Sequence, residues 1–461
     1  MFFKHIYDKS LAQASYMIAC QKAGVAAVID PKRDVDTYLE IAKQEGFRIT
    51  HILETHIHAD FLAGSRELAE LTGAKMYLSA EGGEGWEYEF PHEGLKDGDE
   101  FWLGNLKFEV WHTPGHTPES ISFLLTDTPA TEEPVMLFTG DFVFVGDIGR
   151  PDLLEKAAGI KGTQDEGAKQ MLASVRRFKE LPDFIQLWPG HGAGSACGKA
   201  LGAVPSSTVG YEKIRNWACQ LADDDKAFTD FLLEDQPEPP KYFAKMKLLN
   251  RVERPLLTEL ATAQELDWPV VAAAMQAGIP LIDARPRIEV ETQGFIPGTI
   301  NIQHNNAFST WAGWFLDYDK EFMLLAAEDQ IDELRRKLMR IGLDNFKGFV
   351  ASTNAYQQEL HQPDIITVTE LKKLKADYRI FDIRSAKEYK EAHIEGAEHF
   401  FLGKLYELTK DIDRNEAIIL HCQGGDRAAI GYSILVQMGF KNIKNFSGGI
   451  KAWVAAQEPL V

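Results

Sequence analysis

Cysteine is scarce in this chain, four residues in 461, at Cys20, Cys197, Cys219 and Cys422. That scarcity excludes a small secreted fold stapled by disulfides. No apolar run reaches the ~18 to 20 residues that a membrane-spanning helix needs. The opening MFFKHIYDKSLAQASYMIAC lacks the uninterrupted apolar core and cleavage site of a secretory leader, so the expectation is a cytoplasmic protein. Basic residues are also in deficit, with 49 Lys and Arg against 69 Asp and Glu, a formal charge of −20. A surface of that sign repels phosphate backbones and anionic lipid, so neither nucleic acid nor membrane is an expected partner. With 45% apolar and 26% charged residues the composition is neither collagen-like nor disordered. At about 150 residues per domain, the length suggests roughly three globular units.

Up to about Asn250, apolar runs such as AAVID and HILETH alternate with helix-like DVDTYLEIAKQEG and FLAGSRELAELTG, an α/β pattern. The Pro-rich acidic string EDQPEPP (234–240) and RVERP, ending at Pro255, place a boundary between 235 and 260. The reading is a first domain over 1–250 with a linker near Asn250. The rest carries an internal repeat with a period of about one hundred residues. Leu281-Ile282-Asp283-Ala284-Arg285 is echoed by Ile380-Phe381-Asp382-Ile383-Arg384, and Phe295-Ile296-Pro297-Gly298 by His393-Ile394-Glu395-Gly396. A helix ending at Arg340-Ile341-Gly342 matches one ending at Gln437-Met438-Gly439. Two copies of one small α/β domain follow, over 258–357 and 363–461, each with site residues at strand C-termini.

The first chemical constellation lies at four strand ends. Thr55-His56-Ile57-His58-Ala59-Asp60 leaves the apolar stretch Ile49 to Leu53. His116 sits in the Thr113-Pro114-Gly115-His116-Thr117 turn, Asp141 follows MLFTG, and His191 lies in Trp188-Pro189-Gly190-His191-Gly192. Imidazoles and carboxylates converging from such turns suit a first-row metal ion. These residues resemble the metallo-β-lactamase superfamily, whose pattern is HxHxDH, a His in a GHT-like turn, an Asp after Gly, and a final GH. The resemblance implies an αββα sandwich with metal at one edge. Where the pattern ends in a second His this chain has Phe61, so one metal is the expected occupancy.

His56, His116 and Asp141 would form a two-His-one-carboxylate triad that leaves coordination positions open for a substrate sulfur and for dioxygen, which favours Fe(II) over Zn. THIHAD, TPGHT, TGD and GDIGRPD are similar to the persulfide dioxygenase branch of the superfamily. That resemblance implies one Fe(II) per chain on His56, His116 and Asp141, with His58, Asp60 and His191 orienting those ligands or bonding bound water. It also places Arg150 near a thiol substrate; spacing alone equally allows an ion pair with Asp147 or Asp152. A Tyr common in the branch shortly after the final GH is replaced here by Gly192-Ala193-Gly194. Cys197, six residues after His191, reads either as a packed cysteine or as a relay or regulatory thiol of the metal pocket.

The second constellation is Cys422-Gln423-Gly424-Gly425-Asp426-Arg427, between the apolar strand 417–421 and a helix-like 428–438. Loop N–H groups, the helix dipole and the charge of Arg427 would all favour a nucleophilic thiolate and hold a persulfide anion on it. With Asp382-Ile383-Arg384, His393-Ile394-Glu395-Gly396-Ala397 and Phe446-Ser447-Gly448-Gly449-Ile450 through Trp453, the stretch 365–461 resembles the rhodanese family, and a six-residue loop is the sulfurtransferase length. The matching position in the first copy falls near Ala326, and no cysteine lies between Cys219 and Cys422. The first copy is therefore read as an inactive rhodanese-like domain that either packs between the other two or assists homo-oligomer formation. The aromatic cluster Trp311, Trp314, Phe315 and Tyr318 has helical spacing and reads as core or interface.

The expectation is a multi-domain α/β protein, a metallo-β-lactamase sandwich followed by two rhodanese-like domains with parallel sheets. Its expected chemistry is Fe(II)- and O2-dependent oxidation of a low-molecular-weight thiol persulfide to sulfite, coupled to sulfane-sulfur transfer through Cys422 that makes or uses thiosulfate. Two alternatives stand beside it, a zinc thioester hydrolase of the glyoxalase II type and a sulfide or persulfide sensor.

Overall fold

A strand whose two faces are both covered by protein reads as continuously apolar, and β2 (Gln13–Cys20) is buried along its whole length. Tyr16, Ile18 and Cys20 face one core, while Met17 and Ala19 face another. The computed structural model describes residues 1–153, 155, 163–199 and 201–461. It divides into two compact units, Met1–Leu260 with Met339–Gly342, and Ala261–Leu338 with Leu343–Val461.

In the first unit, one six-stranded sheet runs in the spatial order β1 (Phe2–Asp8), β2, β3 (Val25–Ile29), β4 (Arg48–Leu53), β5 (Lys75–Ser79), β6 (Glu93–Leu95). The other contains β7 (Glu100–Leu103), β8 (Leu106–His112), β9 (Ile121–Asp127), β10 (Met136–Gly140), β11 (Gln186–Pro189) and β12 (Ser207–Thr208), in the same consecutive order. Tyr16, Ile18, Ala27 and Leu53 of the first sheet share a core with Phe108, Phe123 and Phe138 of the second. On the outer faces, Met17, Val28 and Ile52 pack with Tyr38, Ala42 and Leu68 from helices. Leu124 and Leu137 pack with Met171, Leu172, Val175 and Phe178 of the helix Thr163–Phe178. Helix, sheet, sheet, helix is the expected sandwich.

The linker read near Asn250 is not one. Asn250 lies inside the helix Phe243–Arg251 and is buried, and the first unit continues to Leu260. EDQPEPP separates two helices of this unit, Asp225–Leu233 and Phe243–Arg251. Proline-rich strings stop helices whether or not a domain ends there.

The second unit holds two four-stranded sheets whose paired strands are all parallel. With β13 (Leu281–Asp283), β14 (Ile300–Asn301), β15 (Phe322–Leu325) and β16 (Phe346–Val350), the first has the order β14-β13-β15-β16. The second, with β17 (Arg379–Asp382), β18 (Ala397–His399), β19 (Ala417–His421) and β20 (Asn442–Phe446), has the order β18-β17-β19-β20, the same arrangement one repeat later. The repeated Asp-x-Arg makes the same ion pair in each copy, Arg285 to Asp283 and Arg384 to Asp382, both at 2.6 Å. Trp314 meets Phe401 and Phe315 meets Tyr406 edge-on, so part of the aromatic cluster joins the two sheets' surroundings. Among the described residues no helix is long and apolar enough to cross a membrane.

Candidate functional site

His56 follows β4, His116 follows β8, and Asp141 follows β10, so three strand ends bring them to one edge of the sandwich. Their donor atoms all lie within 4.8 Å of one another. Asp141 Oδ2 is 3.8 Å from His56 Nε2 and 3.5 Å from His116 Nε2. All three residues are buried, and both His56 Nε2 and Asp141 Oδ2 lack a hydrogen-bond partner. Buried polar atoms left unpaired cost about 1–3 kcal/mol each, and a cation between them would remove that cost. Burial lowers the pKa of both imidazoles, keeping them neutral as ligands must be. The residues present fit a metal ion.

The other ring nitrogen of each histidine is already committed. His116 Nδ1 is 2.9 Å from the carbonyl of Arg150, and His56 Nδ1 is 3.0 Å from Thr55 Oγ1, whose own proton goes to Asp30 Oδ2 at 2.8 Å. These contacts set ring orientation and leave Nε2 for the ion. Asp30, at the end of the AAVID strand, also accepts from Thr55 N–H and contacts His58 Nε2 at 3.2 Å. Sequence reading passed over it, although a carboxylate at a strand C-terminus was the available signal. His58 therefore turns to Asp30, its ring 4.2 Å from that of His56 and 4.3 Å from that of Phe61.

Asp60, His191 and Cys197 form a second group of converging donors. His191 Nδ1 donates to Asp141 Oδ1 at 2.7 Å, reserving Oδ2 for the triad. Its Nε2 lies 2.7 Å from Asp60 Oδ2. Burial opposes a charge on His191, yet Asp141 and Asp60 outweigh it and raise its pKa. Against the same burial, His191 and the two triad histidines hold Asp141 well below the usual carboxylate range. The Cys197 thiol is pushed well up by burial, then by Asp141 and Asp60.

Arg150 is fully buried. Its Nε and Nη2 fork onto Asp152 at 2.7 and 2.8 Å, and Nη1 donates to the carbonyls of Ala196 and Pro237. These are internal bonds, including the ion pair with Asp152 that the spacing allowed, and Arg150 also meets the site through its carbonyl, 2.9 Å from His116 Nδ1.

Two further features hold the loop that bears His56 to Asp60. Asn250 donates to the carbonyls of His58 and Phe61 and accepts from Ala63 N–H, all at 2.8 Å. Glu119 accepts from Ile57 N–H at 2.8 Å, its carboxyl raised by burial to about 7. Gly140 has φ +52°, and a Cβ there would lie 2.3 Å from Thr55 Oγ1. Only glycine lets β10 pass so close to the Thr55–His56 turn.

In the second unit, Cys422 directly follows β19, and three residues separate it from the helix Asp426–Gln437. Gly425 N–H, at φ +111°, donates to Cys422 Sγ at 3.1 Å. A Cβ on Gly449 would lie 2.2 Å from the Cys422 carbonyl, so this glycine admits the loop. Gln423 Oε1 accepts from Arg384 at 3.3 Å. Arg427 does not bring an unbalanced charge to the thiol, because both its Nη atoms bond Glu388 at 2.7 Å. Burial opposes the ionisation of Glu388, but Arg427 brings its carboxyl down to about 2. At the matching place in the first sheet, Ala326 follows β15 and one residue, Ala327, precedes the helix Glu328–Met339. That copy has neither a thiol nor a loop long enough to cradle an anion.

Residues 10–191 match the metallo-beta-lactamase superfamily, and residues 367–456 match the rhodanese-like domain. A crystal structure of a metallo-beta-lactamase from Staphylococcus aureus subsp. aureus COL is 44% identical, covering 76% of this chain and 98% of that one, with a TM-score of 0.68. The hydroxyacylglutathione hydrolase of Rhodospirillum rubrum is 32% identical over 176 residues, 38% of this chain and 60% of its own length. The chain thus spans less than two thirds of that relative. The structure of ETHE1 from Myxococcus xanthus is 28% identical over 54% of this chain and 98% of its own, with a TM-score of 0.45.

Proposed function

The chain belongs to the metallo-beta-lactamase superfamily, with a rhodanese-like domain at its C-terminal end, and from that premise we propose a bifunctional sulfur-oxidising enzyme. Its first unit oxidises a low-molecular-weight thiol persulfide with O2, and Cys422 carries sulfane sulfur. The observation that supports this reading is the triad of His56, His116 and Asp141, with orphaned donor atoms, beside a position where Phe61 fills the space of a further ligand. Fe(II) held by those three residues would supply redox chemistry and open coordination positions for a sulfur anion and dioxygen. The balance is RSS⁻ + O2 + H2O → RSH + HSO3⁻. The chain's own part is to keep both imidazoles neutral through burial, orient them through Arg150 O and Thr55, and pin Asp141 through His191.

In the second unit, a persulfide on Cys422 would take over the Gly425 N–H bond that now reaches the thiol sulfur. Attack by sulfite on the outer sulfur breaks the S–S bond, so that Cys-S-S⁻ + SO3²⁻ → Cys-S⁻ + S2O3²⁻, with no outside oxidant. The two halves would share sulfite as product and acceptor. A second reading, a zinc thioester hydrolase, draws on the Asp60, His191 and Cys197 group, which offers donors for another ion. Elemental analysis with an oxygen electrode decides between them. The dioxygenase reading expects about one iron per chain and stoichiometric O2 uptake on glutathione persulfide. Two zinc ions with oxygen-independent thioester hydrolysis would overturn it.

A further inference from the structure

Arg427 is the cation inside the Cys422 loop, yet Glu388 balances it. Other donors around the loop would then share the recognition of an incoming sulfur oxyanion. A Cβ on Gly424 would lie 3.9 Å from Lys451 Nζ, which places that exposed ammonium over one side of the loop. Arg287, which belongs to the first, cysteine-free repeat, also reaches the loop. A Cβ on Gly425 would lie 2.8 Å from both Cζ and Nε of Arg287, and Gly425 is the residue whose N–H bonds Cys422 Sγ.

This guanidinium is held by its surroundings. Nε donates to Asp426 Oδ1 at 3.2 Å, and Nη1 donates to Ser447 Oγ and forms a largely buried ion pair with Glu291 at 2.9 Å, so its charge is balanced as that of Arg427 is, and what it offers an anion is its remaining N–H donors. The first repeat is also locked to the helix that follows the loop, with Asn301 N–H donating to Ser433 Oγ at 3.0 Å and Gln303 Nε2 to the Asp426 carbonyl at 3.3 Å. Nη2 has no hydrogen-bond partner among the described residues. The Asp426 carboxylate that shares Nε is 62% exposed, and an ion pair that open to water is weak enough for an anion to displace.

We propose that the cysteine-free repeat supplies Arg287 as an anion-recruiting residue which, together with Lys451, recognises sulfite or thiosulfate at the mouth of the Cys422 loop. It rests on the reading of Cys422 as a sulfur carrier only for the identity of the anion. The repeat thereby keeps a role in the reaction without a nucleophile of its own.

The test alkylates the full-length protein at fixed pH with anionic iodoacetate and with neutral iodoacetamide, following the Cys422 peptide by mass spectrometry. The iodoacetate to iodoacetamide rate ratio should fall roughly threefold or more in R287Q at low salt, recover in R287K, and fall also in K451Q, with the iodoacetamide rate unchanged. Thiosulfate-dependent sulfur transfer to cyanide should show a raised KM in R287Q with kcat nearly constant. An unchanged ratio in R287Q would overturn the proposal, as would an equal loss with both reagents, which is the mark of a disordered loop. If the ratio falls but thiosulfate transfer persists in C422S, the anion site stands and the sulfur-carrier reading fails.

Discussion

Asn250→Ala tests whether the metal-bearing loop is held from a distance. The side chain satisfies the carbonyls of His58 and Phe61 and the N–H of Ala63, all three bonds being 2.8 Å long and shielded from water. Each bond contributes about 1 kcal/mol net, and a buried group left unpaired costs about 1–3 kcal/mol. Water entering the gap recovers part of this, so a loss of about 3–5 kcal/mol in local stability is expected. Hydrogen exchange read by mass spectrometry should show the peptides over 56–63 exchanging at least one hundredfold faster, since 1.4 kcal/mol is about a factor of ten. Because His56 and Asp60 ride on this loop, metal affinity should drop about 10- to 100-fold. Asn250→Asp keeps the acceptor for Ala63 but loses both donors and sets a carboxylate against two carbonyls, so it should be no milder. Exchange and metal affinity both at wild-type levels in Asn250→Ala would refute the reasoning.

His116→Asn should lower bound metal from about one ion per chain to near none by elemental analysis while circular dichroism stays unchanged; full retention would remove His116 from the ligand set. Cys422→Ser should abolish sulfur transfer and leave persulfide-dependent O2 uptake intact, as measured on the same preparation. The Glu388 carboxyl falls from an ordinary 4.5 to about 2 when folded, so its pairing with Arg427 stabilises fully above pH about 4.5 and is lost as the pH falls toward about 2. Thermal melts from pH 5 to 3 should therefore steepen less with pH in Glu388→Gln than in the natural protein, and parallel curves would argue against the ion pair.

The candidate site residues were legible because they stand just beyond strand ends, His116 and Asp141 directly after a glycine, a local pattern. THIHAD, TPGHT and TGD carry His56, His116 and Asp141, and the Asp-x-Arg echo about one hundred residues apart announces two sheets of one order. Cys422 was legible through its Gly-rich loop. Not legible were the features that depend on a distant partner. Arg150 sits in a motif suggestive of substrate, but Asp152, Ala196 and Pro237 claim its donors. Arg427 sits beside a thiol, but Glu388 balances it from another helix. Asn250 sits in what looked like a linker and bonds His58, 192 residues earlier.

Sequence alone determined which side chains are available and the strand-to-loop turns that carry them, because periodicity and turn chemistry act over a few neighbouring residues. Only the tertiary structure decided which of those charges remain free to act. A buried ionisable group must find a partner, and that partner is set by packing between segments far apart in the chain. Thus Arg150, Arg427 and Arg287 all have carboxylate partners, and Arg287, in the repeat without a cysteine, comes to rest against the loop of the one that has it.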